Sequence, residues 1–145
     1  MTHDERRLWE LAQDLVDREI DYAWRGGGPE GPSRGTGDCG GPASKLGDGT
    51  KIGFDAGTLA QYLLHQVFGV QILGTPTPED LLKVGVEVTT PVPGDLIFPA
   101  ISNGHHVAVH LGHGKMVQAT QSGTKINIVD APSTLISTRR YAVQK

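Results

Sequence analysis

Among the side chains able to do chemistry, the chain holds one cysteine and six histidines, and their positions decide what that chemistry could be. Cys39 sits in Gly37-Asp38-Cys39-Gly40-Gly41, with no helix start beside it and no base nearby in sequence. Its thiol is therefore expected to stay mostly protonated near neutral pH, which makes it a poor nucleophile. Four histidines cluster as His105, His106, His110 and His113. On a strand His106 and His110 share a face while His105 points to the other, and a third ligand for zinc is missing, so no metal site is expected. His106 and Gln118 flank a turn near His113, a spacing that lets a glutamine carbonyl accept from one imidazole nitrogen across a hairpin. On residue types alone the same pair also fits a half-buried histidine and an outward polar glutamine.

The elements that would position these residues are legible from periodicity. Residues 4 to 20 place Leu8, Leu11, Ala12, Leu15 and Ile20 on one face, the spacing of an amphipathic helix, with Thr2 and Glu5 as a capping box. From Arg25 to Gly53 the chain is rich in Gly, Pro, Ser and Asp, which predicts a long irregular loop. Phe54 to Phe68 carries Leu59, Tyr62, Leu63 and Val67 at helical spacing, with Asp55 fit to cap its start and Gly69 its end. A short helical turn is expected at Glu79–Lys83. Strands follow at Asp95–Pro99, His106–Leu111, Lys115–Thr120, Lys125–Val129 and Arg139–Val143, with Gly112-His113-Gly114 as a hairpin turn. Helices first and antiparallel strands afterwards predict an α+β fold, and 145 residues suit a single domain, 1–145, with 29–52 as an extended loop.

Tyr22-Ala23-Trp24-Arg25-Gly26-Gly27, Gly53-Phe54-Asp55-Ala56-Gly57-Thr58-Leu59, Pro93-Gly94-Asp95-Leu96-Ile97-Phe98, His106–Gly112 and Lys115–Ala119 occur in this order. Together they resemble the motifs of the NlpC/P60 cysteine peptidases, whose papain-like fold packs N-terminal helices on an antiparallel sheet. The resemblance places the family's cysteine at Ala56, its histidine at His106 and the residue orienting that imidazole at Gln118. It implies substrate-positioning roles for Tyr22 and Asp55, although core packing also explains Tyr22 and Trp24, and a helix N-cap also explains Asp55. The loop from Gly26 to Gly37 resembles that of mycobacterial Rip-type proteins, which include a non-catalytic paralogue with alanine at the nucleophile position and no histidine.

Departures from the family pattern shape the expectation. The Ser-Gly that follows the cysteine is here Gly57-Thr58, the arginine of a Leu-Pro-Arg-Thr segment is missing from Leu73-Gly74-Thr75, and His110 replaces a tyrosine. Ala56 can thus mark a naturally degenerate homologue or an active peptidase whose cysteine was replaced, and both remain open. The resemblance implies a peptidoglycan stem-peptide amidohydrolase scaffold that binds without turnover, needs no cofactor and works outside the cytoplasm in the cell envelope. A protein-interaction module, or a toxin domain recognised by an immunity protein, is the alternative from another class.

Composition excludes several other classes. A net charge of −3 gives no basic surface for nucleic acid. No apolar run reaches the roughly 18 residues of a membrane-spanning helix. Nor does an apolar signal-peptide core follow the charged first residues.

Overall fold

A computed structural model describes residues 2–37 and 40–141. Cys39 and the last two residues of the strand expected at 139–143 lie outside the described residues.

Helix α1, His3–Asp17, buries Leu8, Ala12 and Leu15 along one stripe and begins where Thr2 Oγ1 accepts from the Glu5 backbone N–H at 3.1 Å. It ends three residues earlier than the periodicity suggests. Glu19 turns to φ 53°, and Ile20 leaves the helix, its carbonyl accepting from Ile126 N–H at 2.9 Å. Ile20 still packs on the core. Tertiary pairing has overridden the local helical pattern at that end.

Helix α3, Ala56–Phe68, matches its sequence signals at both ends. Asp55 and Thr58 form a reciprocal capping box at the start, and Gly69 closes the helix at φ 70°. All residues from Ala56 to Leu64 are buried, because α1 packs on one side of the helix and the main sheet on another. A longer apolar stripe than a surface helix needs is the consequence of that double coverage.

The 25–53 segment is more ordered than an irregular loop. It contains strand β2 (Ser33–Arg34), helix α2 (Pro42–Lys45), a 3-10 turn at Asp48–Thr50 and strand β3 (Ile52–Phe54). β3 lies between β1 (Asp21–Tyr22), parallel to it, and β2, antiparallel to it. Strands of two or three residues have too few side chains to display an alternation, so their pairing is written in distant contacts only.

Helix α4, Pro78–Leu82, precedes a six-stranded antiparallel sheet. Its strands are β4 (Val86–Glu87), β5 (Leu96–Pro99), β6 (Ala108–Gly112), β7 (Lys115–Gln118), β8 (Asn127–Asp130) and β9 (Leu135–Arg140), in the spatial order β4-β9-β5-β6-β7-β8. Leu96, Phe98, Val109, Leu111 and Val117 face the helices and join Leu8, Phe54, Leu59 and Leu63 in one buried cluster. The alternate residues Ile97, Ala108 and Met116 form a smaller cluster on the opposite face, as the two-residue period of a strand requires. The β6–β7 hairpin turns through His113 at φ 53° and Gly114 at φ 72°. Positive φ at both central residues matches the twist of the flanking strands, and Gly112 pairs with Lys115 across the turn.

Candidate functional site

A cleft of about 270 Å³ opens where the start of α3, the segment before α4 and the segment before β6 meet. Tyr22, Asp55, Ala56 and His106 all line it. Four of the five residues singled out from sequence therefore share one surface, and the fifth, Gln118, touches it through His106.

Ala56 is the first residue of α3 and is 8% exposed. The first amides of a helix have no intrahelical partner, so Ala56 and Gly57 occupy a position where backbone N–H groups and the helix dipole favour negative charge. The methyl group itself supplies no reactive atom.

His106 does not stand within a strand as expected. It precedes β6 by two residues, so it meets Gln118, the last residue of β7, outside the regular ladder. The imidazole Nε2 nevertheless donates to Gln118 Oε1 at 3.0 Å. Gln118 Nε2 in turn donates to Asn127 Oδ1 at 3.1 Å, on the paired position of β8. That second bond fixes which end of the amide faces the imidazole. With the carbonyl oxygen as acceptor, the proton sits on Nε2 and Nδ1 keeps its lone pair. Burial holds the His106 pKa below the usual histidine value against the opposing pull of Gln118, so the ring is neutral at neutral pH.

Asp55 serves as the N-cap and contributes to the cleft at the same time. Its Oδ1 accepts from Thr58 N–H at 2.9 Å and its Oδ2 from Arg25 N–H at 3.1 Å. Burial nonetheless raises its pKa above the usual aspartate value, with the Thr58 and Arg25 bonds acting against that rise. The Thr58 hydroxyl donates to Gly26 O at 2.6 Å, tying the Tyr22–Gly27 motif to the first turn of α3. Tyr22 is 7% exposed and belongs to both the core and the cleft lining. Burial, then the charges of Asp55 and Asp48, push its phenol upward, so it stays neutral and can donate a hydrogen bond.

The opposite wall runs through Thr75, Pro76, Thr77, Pro78 and Glu79, beginning at the end of the Leu73-Gly74-Thr75 segment that lacks the family's arginine. The buried side chain of Gln61 holds this segment by donating to Ile72 O at 2.5 Å and to Gly74 O at 2.9 Å. A Cβ on Gly57 would lie 1.9 Å from Pro76 O, which makes the glycine a packing requirement. His105 Nδ1 meets Glu79 Oε1 at 2.6 Å. His110, by contrast, is half-buried within β6 and does not line the cleft. Among the described residues, no group of three or more His, Cys, Asp or Glu side chains is arranged to hold a metal ion.

Several site residues escaped the sequence reading. Asn127 had a signal, since it faces Gln118 across the β7–β8 turn. Thr120 and Thr75–Thr77 had none, because they are brought in by loops with no period, and Pro78 and Glu79 open α4 with nothing in that turn to mark a cleft.

The NlpC/P60 family model matches residues 19–144. The peptidoglycan endopeptidase RipB of Mycobacterium tuberculosis is 32% identical over 111 residues, which cover 75% of this chain and 41% of RipB. The chain thus spans about two-fifths of that relative's length. The murein DD-endopeptidase/LD-carboxypeptidase MepS of Escherichia coli is 30% identical over 61% of this chain and 48% of its own. The solved structure of the peptidoglycan hydrolase RipB superposes with a TM-score of 0.71 at 26% identity, covering 99% of this chain and 70% of that one. RipD of Mycobacterium tuberculosis, described as a non-catalytic NlpC/p60 domain protein with an adaptation to peptidoglycan-binding function, gives 0.65 at 27% identity over 89% and 96% of the two chains. The strand order, the capped central helix and a family match over almost the entire sequence lead to one conclusion: the chain belongs to the NlpC/P60 family.

Proposed function

We propose that residues 1–145 form a single NlpC/P60-type domain that binds peptidoglycan stem peptides in the cell envelope without hydrolysing them, because Ala56 stands where the catalytic cysteine belongs. One observation carries this reading: Ala56 at the start of α3 and the His106–Gln118 pair line and support one cleft. In an active enzyme of this geometry, His106 Nδ1 would take the thiol proton. The thiolate would then attack the amide carbonyl, with amides at the start of α3 stabilising the oxyanion. His106 would pass its proton to the leaving amine, and water would hydrolyse the acyl-thioester. A methyl group leaves the binding surface in place and removes the covalent route.

Of the two origins of Ala56, the packing around Gly57 favours natural degeneration. The family's serine at the following position has no room against Pro76 O. A single cysteine replacement would leave such a neighbour untouched, so the wall and the helix start fit together as a set.

The test is the variant Ala56→Cys made in a Cys39→Ser background, so that one thiol is present. Incubated with a stem peptide containing the γ-D-glutamyl-diaminopimelate bond, it is expected to release product at least about 100-fold faster than the parent, as restoring an activated nucleophile should. The parent is expected to bind the same peptide in calorimetry with no product formed. Failure of the parent to bind stem peptides or sacculi would overturn this reading in favour of a protein-interaction module.

A further inference from the structure

The glycine- and proline-rich segment after Arg25 has no part in the proposed reaction, and it contains a carboxylate with no exposure to solvent. Asp48 is 0% exposed. Its Oδ2 accepts from Trp24 N–H at 2.9 Å and from the Ser122 hydroxyl at 2.7 Å. Lys51 Nζ stands 3.8 Å from Oδ1, an oxygen with no hydrogen-bond partner among the described residues. Burying a carboxylate with so incomplete a set of partners costs free energy that an apolar residue would not incur. Stability alone is therefore a poor account of its presence.

Its two donors come from one cleft-lining residue and from a loop that adjoins the cleft. Trp24 lines the cleft and keeps 38% of its surface exposed. Ser122 follows Thr120, another lining residue, by two positions in the β7–β8 connection. The Trp24 carbonyl is held as well, accepting from Thr36 N–H at 2.7 Å. Both backbone groups of Trp24 are thus fixed by the same inserted segment, and the large indole is presented with its backbone already ordered. Preordered, exposed aromatic surface is what a binding cleft uses for affinity.

We infer that Asp48 is a positioning residue: through its bonds to Trp24 and Ser122 it holds the Trp24 indole as the ligand-contacting edge of the cleft. The ligand side of this inference rests on the peptide-binding reading above; the hold on Trp24 does not. The experiment uses a Trp9→Phe background, which leaves Trp24 as the sole tryptophan of the two in the chain. Asp48→Ala is expected to raise acrylamide quenching of Trp24 and to weaken stem-peptide binding about tenfold, while Asp48→Asn, which keeps an acceptor for both donors, stays within about threefold. Trp24→Ala should weaken binding to a similar degree, and combining it with Asp48→Ala should add little, since the two act on one contact. A folded Asp48→Ala protein with unchanged quenching and affinity, or additive losses in the double variant, would overturn the inference. If Asp48→Ala does not fold, Ser122→Ala severs one of the two bonds, and unchanged quenching there overturns it equally. A parent that binds no stem peptide sinks the proposed function, and the quenching comparison still decides whether Asp48 holds Trp24.

Discussion

His106 and Asp55 carry opposite pH signatures. The folded pKa of His106 lies below its ordinary value because burial disfavours the imidazolium. His110 is shifted the same way, burial outweighing the attraction of Asp95. For both, the unfolded chain binds more protons once the pH falls through about 6.5, so the stability they support is complete above that value and lost below it. Asp55, with its folded pKa raised, behaves inversely: its contribution is present at acid pH and declines as the pH rises through the folded value. The expected outcome is that the melting temperature falls between pH 7.5 and pH 5.5, and falls less for His106→Gln. An equal fall for both proteins would show that the imidazole is not held neutral by its surroundings. Replacing Asp55 by Ala removes the acceptor for Thr58 and Arg25 and should cost about 1–2 kcal/mol in urea titration. Asp55 was readable from sequence both as a cap and as a cleft residue, and the structure gives it both positions; Gln118 was readable only as a candidate acceptor, because its own anchor, Asn127, belongs to the next strand.

Between elements, the first turn of α3 lies hard against the wall before α4, where a Cβ on Gly57 would meet Pro76 O. Gly57→Ser, which would restore the family's residue, has to displace Pro76 and should destabilise the protein by about 1–3 kcal/mol, measured as a lowered urea midpoint. An unchanged midpoint would mean that the wall yields freely. Helix α3 was legible because periodicity, N-cap and C-terminal glycine agree with each other, although the helical run read from Phe54 loses that residue to β3. The end of α1 was not, since Ile20 continues the helical pattern and is drawn away by Ile126. Strands β2 and β3 were hidden for a different reason: β3 takes its register from Asp21 and Tyr22, far upstream, β2 pairs only with β3, and nothing in Ile52-Gly53-Phe54 announces a parallel neighbour.

Across the whole molecule, the charged pair Arg139-Arg140, too small for a nucleic-acid surface, includes a structural tie. Arg140 Nε and Nη2 reach both oxygens of the fully buried Asp95 at 2.8 Å, and Asp95 Oδ2 also accepts from Val92 N–H at 2.8 Å. This joins the start of β5 to the end of β9 across neighbouring strands. Because Arg140→Ala strands a buried carboxylate, a loss of about 2–4 kcal/mol is expected in thermal or urea unfolding, discounted because the guanidinium is partly exposed. A smaller loss than 1 kcal/mol would show that water replaces the arginine easily. The α+β layering was legible because the order of helical and alternating segments dictates it. The location of the cleft was not deducible from those patterns, since loop residues such as Trp24, Thr75–Thr77 and Thr120 join the ends of α3 and α4 in lining it.

The tight hairpin between β6 and β7 also sets a measure of length. Beyond an irregularity between His110 and Gly112, Val109 lies opposite Val117 and His110 opposite Met116, and the residues before β6 then carry His106 to Gln118, twelve positions further along the chain. One residue inserted at the turn would leave every side chain intact and still deprive the imidazole of its glutamine. In this scaffold, loop arithmetic is as direct a way to silence or retune the site as any change of side chain.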